Sequence, residues 1–329
     1  MKATQEKLDA YGVLTAKILD ALKDGTVPWT KPWLSGPPRS LSTGKTYRGF
    51  NQLLLGFLGR EHDTPFWGTY NQLGEMGGSV KKGERSTPVS FWKQLEFPDE
   101  KSEDGTKKIM MCRYYRAFNC DQAEWQNGEP RMVKEWREKH AEVGQGNPHE
   151  QAEKMIASFP GRPAFEQRGM VAFYSPSDDQ VVVPKPELFE SQTAFYQTTF
   201  HEFVHSTGHP KRLNRFDVQS CPSNEEYSKE ELIAEIGATF LCNEAGIEPR
   251  VDQSAAYCKS WLAKLTADPK ILVAAASLAA KAADHFLGRD RQQEQQNDAV
   301  PSIAQVVPQI SAAKPSNSRE GQLEAEAEM

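Results

Sequence analysis

Residues 201–209 read HEFVHSTGH, and no other stretch restricts the fold of the chain as strongly. On a helix, His201 and His205 stand one turn apart on the same face with Glu202 beside them. Two imidazoles so placed reach one ion, and the glutamate projects toward a water bound to it. SQTAFYQTTFHEFVHSTGH supplies the helix, and Gly208 and Pro210 stop it. The chemistry this pattern serves is metal-assisted hydrolysis, with Glu202 as general base and zinc, or another divalent ion, as the cofactor.

A hydrolytic zinc takes a third protein ligand. The scheme HExxHxxGxxH fits as far as Gly208 and then fails, because the position it needs is Lys211 and His209 falls two residues early. A glutamate on a later helix is the other scheme. YSKEELIAEIGATFLCNEAGI offers Glu231 and Glu235, one turn apart on one face, with Ser228 as the expected N-cap. Glu231 is expected as the ligand and Glu235 as the acceptor that orients a ligating imidazole, with exchange of the two roles left open. His209 has two readings of equal weight: a donor to an oxyanion, or a cap on the helix end.

Charge divides the chain. Residues 1–125 carry 18 Lys and Arg against 15 Asp and Glu, or +3, which leaves 21 against 30, or −9, for the remainder of a chain whose net charge is −6. A polyanion partner therefore belongs on the first half. There PWTKPW, STGKTYRGFN, PFWGTYNQ and VKKGERSTPVSFWK interleave Trp33, Tyr47, Trp67 and Trp92 with Lys45, Arg48, Lys81, Lys82, Arg85 and Lys93. Cations track phosphates while exposed aromatics stack on unpaired bases, so single-stranded DNA is one candidate partner, beside the commoner reading of such aromatics as core. STGK lacks the preceding glycine of a phosphate-binding loop.

The five cysteines are scattered without a CxxC pair, which reads as reduced thiols. The N-terminal stretch has apolar residues at helical spacing interrupted by charges, unlike a signal peptide, and no run of about 18 apolar residues occurs. The expectation is a cytoplasmic protein without a membrane partner. At 329 residues the chain has room for about two domains. Turn and strand signals predict a helix over residues 4–24, an apolar helix from near Asn51, and strands in STPVSFWK and KKIMMCRYYRAFNC, closing a domain at 1–125. Residues 126–168 form an expected linker and entry, with a helix near 148–158. A second domain at 169–288 opens with a hairpin, MVAFYSP and QVVVPKPELF, and continues as helices. Residues 289–329, rich in Gln, Glu and Ser, are expected to be disordered.

Taken together, PW..PW, TGKTYRGFNQLLL, W.TYNQ and V.KGE.ST.V.FWK resemble the N-terminal domain of the ArdC-type antirestriction proteins, which is also similar to part of the plasmid TraC primases. HEFVHSTGHPKRLNR, EELIAEIGATFLCNEAGI and AAYCKSWLAKL resemble the zincin-like metallopeptidase domain of the same family. The resemblance implies an α+β fold: a mixed N-terminal half that binds single-stranded DNA, then a mainly helical zincin-like half with a small sheet. It implies protection of incoming plasmid or phage DNA from host restriction, with a host protein as the candidate peptidase substrate. His201, His205 and Glu231 match the metal positions, and Glu202 matches the catalytic glutamate. Two rival readings stay open: a zinc peptidase whose first half recognises a protein, and a DNA-binding protein whose metal domain is purely structural.

Overall fold

The apolar run in GFNQLLLGFLG folds as the helix Gly49–Gly59 (α2), with Leu53, Leu54, Leu55 and Phe57 all buried. The computed structural model describes residues 10–28, 36–98, 106–142, 147–215, 224–249 and 255–289. Before α2 come the amphipathic helix Ala10–Lys23 (α1) and the short strand Arg39–Ser40 (β1). After it follow Phe66–Gly68 (β2), Tyr70–Glu75 (α3), Gly78–Val80 (β3), Thr87–Pro98 (β4), Thr106–Asn119 (β5) and Ala123–Trp125 (β6). One sheet has the order β1-β2-β5-β4, and β3 pairs with β6. The long antiparallel ladder of β4 on β5 matches the two strands expected here. Asn51 on α2 docks on this ladder, accepting from the Ser90 backbone and donating to its carbonyl.

In the stretch expected as a linker, Arg131–Glu142 (α4) precedes Pro148–Ser158 (α5), the helix anticipated there. Val133 of α4 is buried against Leu41, Phe66 and Leu73, which ties this segment to the first half. The second half opens on Ala164–Gln167 (β7), Phe173–Ser175 (β8) and Gln180–Val183 (β9). β8 and β9 form the predicted hairpin, and β7 adds a parallel strand on the far side of β9. The helices Gln192–Ser206 (α6), Asn224–Ala245 (α7), Ala255–Ala267 (α8) and Lys270–Phe286 (α9) complete the fold. α7 begins before Ser228, so this residue is not its N-cap; it lies inside the helix, where its hydroxyl accepts from Lys264 Nζ at 3.1 Å.

One close approach sets the second half. A Cβ on Gly237 of α7 would lie 2.8 and 2.9 Å from the two γ-methyl carbons of Val204 on α6. A glycine inside a helix costs about 1 kcal/mol relative to alanine. Here it lets α7 approach α6 closely enough for their functional side chains to meet.

One buried cluster runs through both halves. Leu14, Ile18 and Leu22 of α1 and Leu54 and Phe57 of α2 share one buried cluster with Phe200, Phe203, Leu232, Leu265 and Phe286. Gly49, at φ +56°, brings the start of α2 so near α9 that a Cβ there would lie 3.3 Å from Ser277 Oγ. Beside it Arg48 Nη1 pairs with the buried Asp284 Oδ2 at 2.6 Å. Residues up to Asp290 accordingly form one compact unit. The amphipathic faces of α1 and α2 were legible, but the helices that cover them are more than 200 residues away. The tail expected to be disordered lies outside the described residues from 290 onward. Among the described residues no helix is long and apolar enough to cross a membrane.

Candidate metal centre

α6 starts at Ser191, whose hydroxyl accepts from the Ala194 amide, and buries Phe195, Thr199, Phe200, Phe203 and Val204. That burial turns His201 and His205 toward α7. Their Nε2 atoms lie 3.1 Å apart. Glu231 Oε2 is 3.5 Å from His201 Nε2, and its Oε1 is 3.5 Å from His205 Nε2. Ligands held at about 2.0–2.2 Å around one tetrahedral ion are about 3.3–3.6 Å from one another. Both imidazole–carboxylate separations fall in that range, the two imidazoles stand slightly closer, and the two-nitrogen, one-carboxylate donor set fits such an ion.

Glu202 is only 8% exposed. Burial pushes its carboxyl up from the ordinary range, against the pull of the two imidazoles and of the Tyr174 backbone N–H. Burial alone would lower His205, but the Glu230 and Glu231 carboxylates outweigh it and hold the imidazole up at about 9. Glu231 is burdened by burial too, yet the paired histidines bring its carboxyl well below the usual range.

The carboxylate facing the far side of His205 is Glu230, whose Oε1 is 3.4 Å from Nδ1. Glu230 was not selected from the sequence; Glu235, expected to orient a ligating imidazole, stands one turn beyond Glu231 on α7. His205 meets α7 at the adjacent pair Glu230 and Glu231, a contact that the i, i+4 spacing of 231 and 235 does not reveal. Glu230 is itself clamped by Arg215, with Nη2 at 2.6 Å from Oε1 and Nε at 3.2 Å from Oε2. The same guanidinium donates to Thr207 Oγ1 at 2.7 Å and to the Val204 carbonyl at 2.9 Å. A second arginine, Arg212, donates through Nε to the Ser206 carbonyl at 2.6 Å. These contacts close the C-terminal end of α6, where helical carbonyls otherwise lack partners. Two arginines just past a helix stop, in HPKRLNR, were the signal for them.

His209 is 7% exposed and lies just beyond α6, outside the triad. Its Nδ1 accepts from the Lys211 amide at 3.1 Å, a local contact in the turn beyond the helix. Tyr227, one turn before Glu231 on α7, is 58% exposed and hydrogen-bonds to Glu231. If Glu231 is a ligand and Glu230 an orienting acceptor, Glu231→Gln releases most of the metal while Glu230→Gln weakens it about 10- to 100-fold. Equilibrium dialysis of the two variants measures this, and the opposite order exchanges the roles.

The residues chosen for DNA scatter. Trp67 is 1% exposed and packs with Leu55, Val89 and Ala117, so it is a core residue rather than a stacking platform. Tyr47 is half-buried with its hydroxyl 3.3 Å from that of Tyr115, and Arg48 is engaged by Asp284. Lys45, Lys81, Lys82 and Arg85 are exposed, although Lys81 Nζ also donates to the Asp121 carbonyl at 2.8 Å. Trp33 lies outside the described residues; Trp92 and Lys93 lie on β4, with side chains that are likewise outside them. Exposed Arg113 and Arg116 on β5 were not selected from the sequence, whereas Tyr70, which PFWGTYNQ places among the aromatics of the first half, is 59% exposed at the start of α3.

Residues 8–119 match the family model for the N-terminal domain of anti-restriction factor ArdC, and residues 150–278 match that of a zincin-like metallopeptidase. A metal-free crystal structure of the antirestriction ArdC protein from the R388 plasmid superposes with a TM-score of 0.68 at 34% identity, covering 86% of this chain and 98% of that one. The Mn(II)-bound structure of the same protein gives 0.67 at 33% identity, with the same coverage. A DNA primase TraC of Escherichia coli is 34% identical over 316 residues, 89% of this chain but 21% of the primase, so the chain spans about a fifth of that relative.

Proposed function

The chain belongs to the ArdC antirestriction family, and on that premise we propose that it binds single-stranded DNA through its N-terminal half and hydrolyses peptide bonds at a zinc site formed by His201, His205 and Glu231. The observation that carries the hydrolytic reading is the convergence of three ligand atoms within 4.8 Å of one another beside the buried Glu202. Bound there, zinc would supply the Lewis acidity that polarises a carbonyl and acidifies a water. Glu202 takes the proton from the attacking water, and its burial makes it a better base than a solvated carboxylate. It then returns that proton to the leaving amine. Tyr227, exposed at the rim and in contact with Glu231, is the donor available to a developing oxyanion. That a relative has an Mn(II)-bound structure supports manganese as an alternative to zinc.

Support for the DNA reading is the cationic loop between β3 and β4, with Lys81, Lys82 and Arg85 all exposed. Strands so held are shielded from restriction, which is the sense in which the chain acts as an antirestriction protein. Fluorescence anisotropy on the full chain with matched single and double strands tests this half. A preference for duplex overturns it. Replacing Lys81 and Lys82 together by alanine lowers the magnitude of the slope of log K against log salt by about 1.4, since each single-strand phosphate contact contributes about 0.7. An unchanged slope removes the two lysines from the binding surface. Hydrolysis of casein by the zinc-loaded chain, abolished by a chelator and restored by zinc, tests the other half.

A further inference from the structure

Arg212 is 4% exposed at its side chain, and all five of its N–H donors point at acceptors. Nε donates to the Ser206 carbonyl at 2.6 Å; Nη1 donates to the Gly161 carbonyl and to Asp179 Oδ2, each at 3.2 Å. Nη2 donates to Tyr174 Oη at 3.2 Å and to Asp179 Oδ1. Tyr174 Oη in turn donates to Asp179 Oδ1 at 2.9 Å. The guanidinium thereby joins the end of the helix that bears Glu202 to the β8–β9 hairpin. A planar fork with every donor used resists both translation and rotation of that joint.

Two features show that the joint is under demand. Asp179 sits at φ +51°, in the left-handed region that few residues other than glycine occupy, and its carboxylate bonds to Arg212 and Tyr174 hold it there. Arg212 and Tyr174 also keep the Asp179 carboxyl ionised, down at about 2 despite partial burial that would raise it. The hairpin carries a group of consequence. Tyr174 on β8 turns its hydroxyl into the joint, and its backbone N–H faces the Glu202 carboxylate.

We infer that Arg212 is a positioning residue: by locking the end of α6 to Asp179 and Tyr174, it holds β8 where the Tyr174 amide orients the Glu202 carboxylate beside the metal triad. Its consequence for rate rests on the hydrolytic reading above, whereas the geometry does not. A general base held by a fixed donor stays aimed at one point, and a displacement of about 1 Å in such a group costs about 100-fold in rate. Among its hydrogen-bond partners Arg212 touches none of His201, His205 or Glu231, so its loss leaves the ligands in place.

The test uses the full chain, zinc-loaded and labelled with 15N-tyrosine, in which nine tyrosines give a sparse amide spectrum. Tyr174→Phe removes one signal and so assigns it. Glu202→Gln provides the shift expected when a neutral amide replaces the carboxylate acceptor. Arg212→Lys and Asp179→Asn should move the Tyr174 amide proton in that same direction, with zinc still bound one per chain. On casein they should lower kcat about 10- to 100-fold with KM unchanged. A role confined to stability would lower the melting temperature without moving that amide. If Glu202→Gln shifts the signal and the Arg212 and Asp179 variants do not, the inference is overturned. Should Arg212→Lys fail to fold, Tyr174→Phe labelled with 15N-phenylalanine removes only the hydroxyl link. An unmoved residue 174 amide in that protein overturns the inference equally. A wild-type chain that cleaves nothing would sink the hydrolytic reading alone, because the amide shifts decide the geometry without turnover.

Discussion

Expressed by itself, the segment 150–289 does not melt cooperatively. Leu14 and Ile18 of α1 are fully buried and Leu22 is 2% exposed, in the same cluster as Leu265, Leu272 and Phe286. Removing them uncovers apolar surface on α8 and α9. Full burial of one such side chain is worth about 1.5–3 kcal/mol, so losing the three costs about 5–9 kcal/mol. A domain's whole stability is about 5–15 kcal/mol. The loss of Leu54 and Phe57 from α2, and of the Arg48 partner that neutralises the buried Asp284, adds to this. Circular dichroism melting of 150–289 against 10–289 measures the difference. A sharp transition in the short segment, with one zinc bound, would mean that α1 and α2 are dispensable and that the halves are tethered modules.

Glu202→Gln stops hydrolysis while zinc stays bound. Removing a general base lowers turnover by about 100- to 10,000-fold. The substitution leaves His201, His205 and Glu231 untouched, so metal stoichiometry should remain one per chain. The glutamate is 8% exposed and faces the Tyr174 amide, an environment in which a neutral amide of the same shape is accommodated. Single-strand affinity should stay within about threefold, since Glu202 is separate from the cationic β3–β4 loop proposed to meet phosphate. Casein turnover, metal analysis and anisotropy on one preparation check the three statements together. Retained turnover would remove Glu202 from the mechanism; a large loss of DNA affinity with folding intact would make the metal site and the DNA surface a single site.

Because the two halves share one buried cluster, a ligand of either half is expected to stabilise both. Zinc should therefore raise the melting temperature reported by probes in the β4–β5 ladder as well as by those near α6. The earlier expectation of independent modules, joined through residues 126–168, has no such consequence.

Local spacing was enough to identify His201, Glu202 and His205, because residues four apart on a helix share a face whatever surrounds them. Glu231 was within reach for a related reason: a second amphipathic helix with a carboxylate on its polar face can supply the ligand that two histidines lack. The strands of the β4–β5 ladder and the β8–β9 hairpin were equally local, marked by alternation and by turn residues. Burial of Trp67 was not, since an aromatic beside cations reads the same whether its ring faces solvent or the Leu55 and Val89 side chains. Nor was the contact of Glu230 with His205, which depends on where α6 crosses α7 and hence on the missing side chain of Gly237. The link of Arg212 to Asp179 and the union of the halves through Arg48 and Asp284 join residues 33 and 236 positions apart. Periodicity carries information over a turn or a strand; which distant surfaces cover one another is settled only when the whole apolar area is packed at once, and there the tertiary structure alone decided.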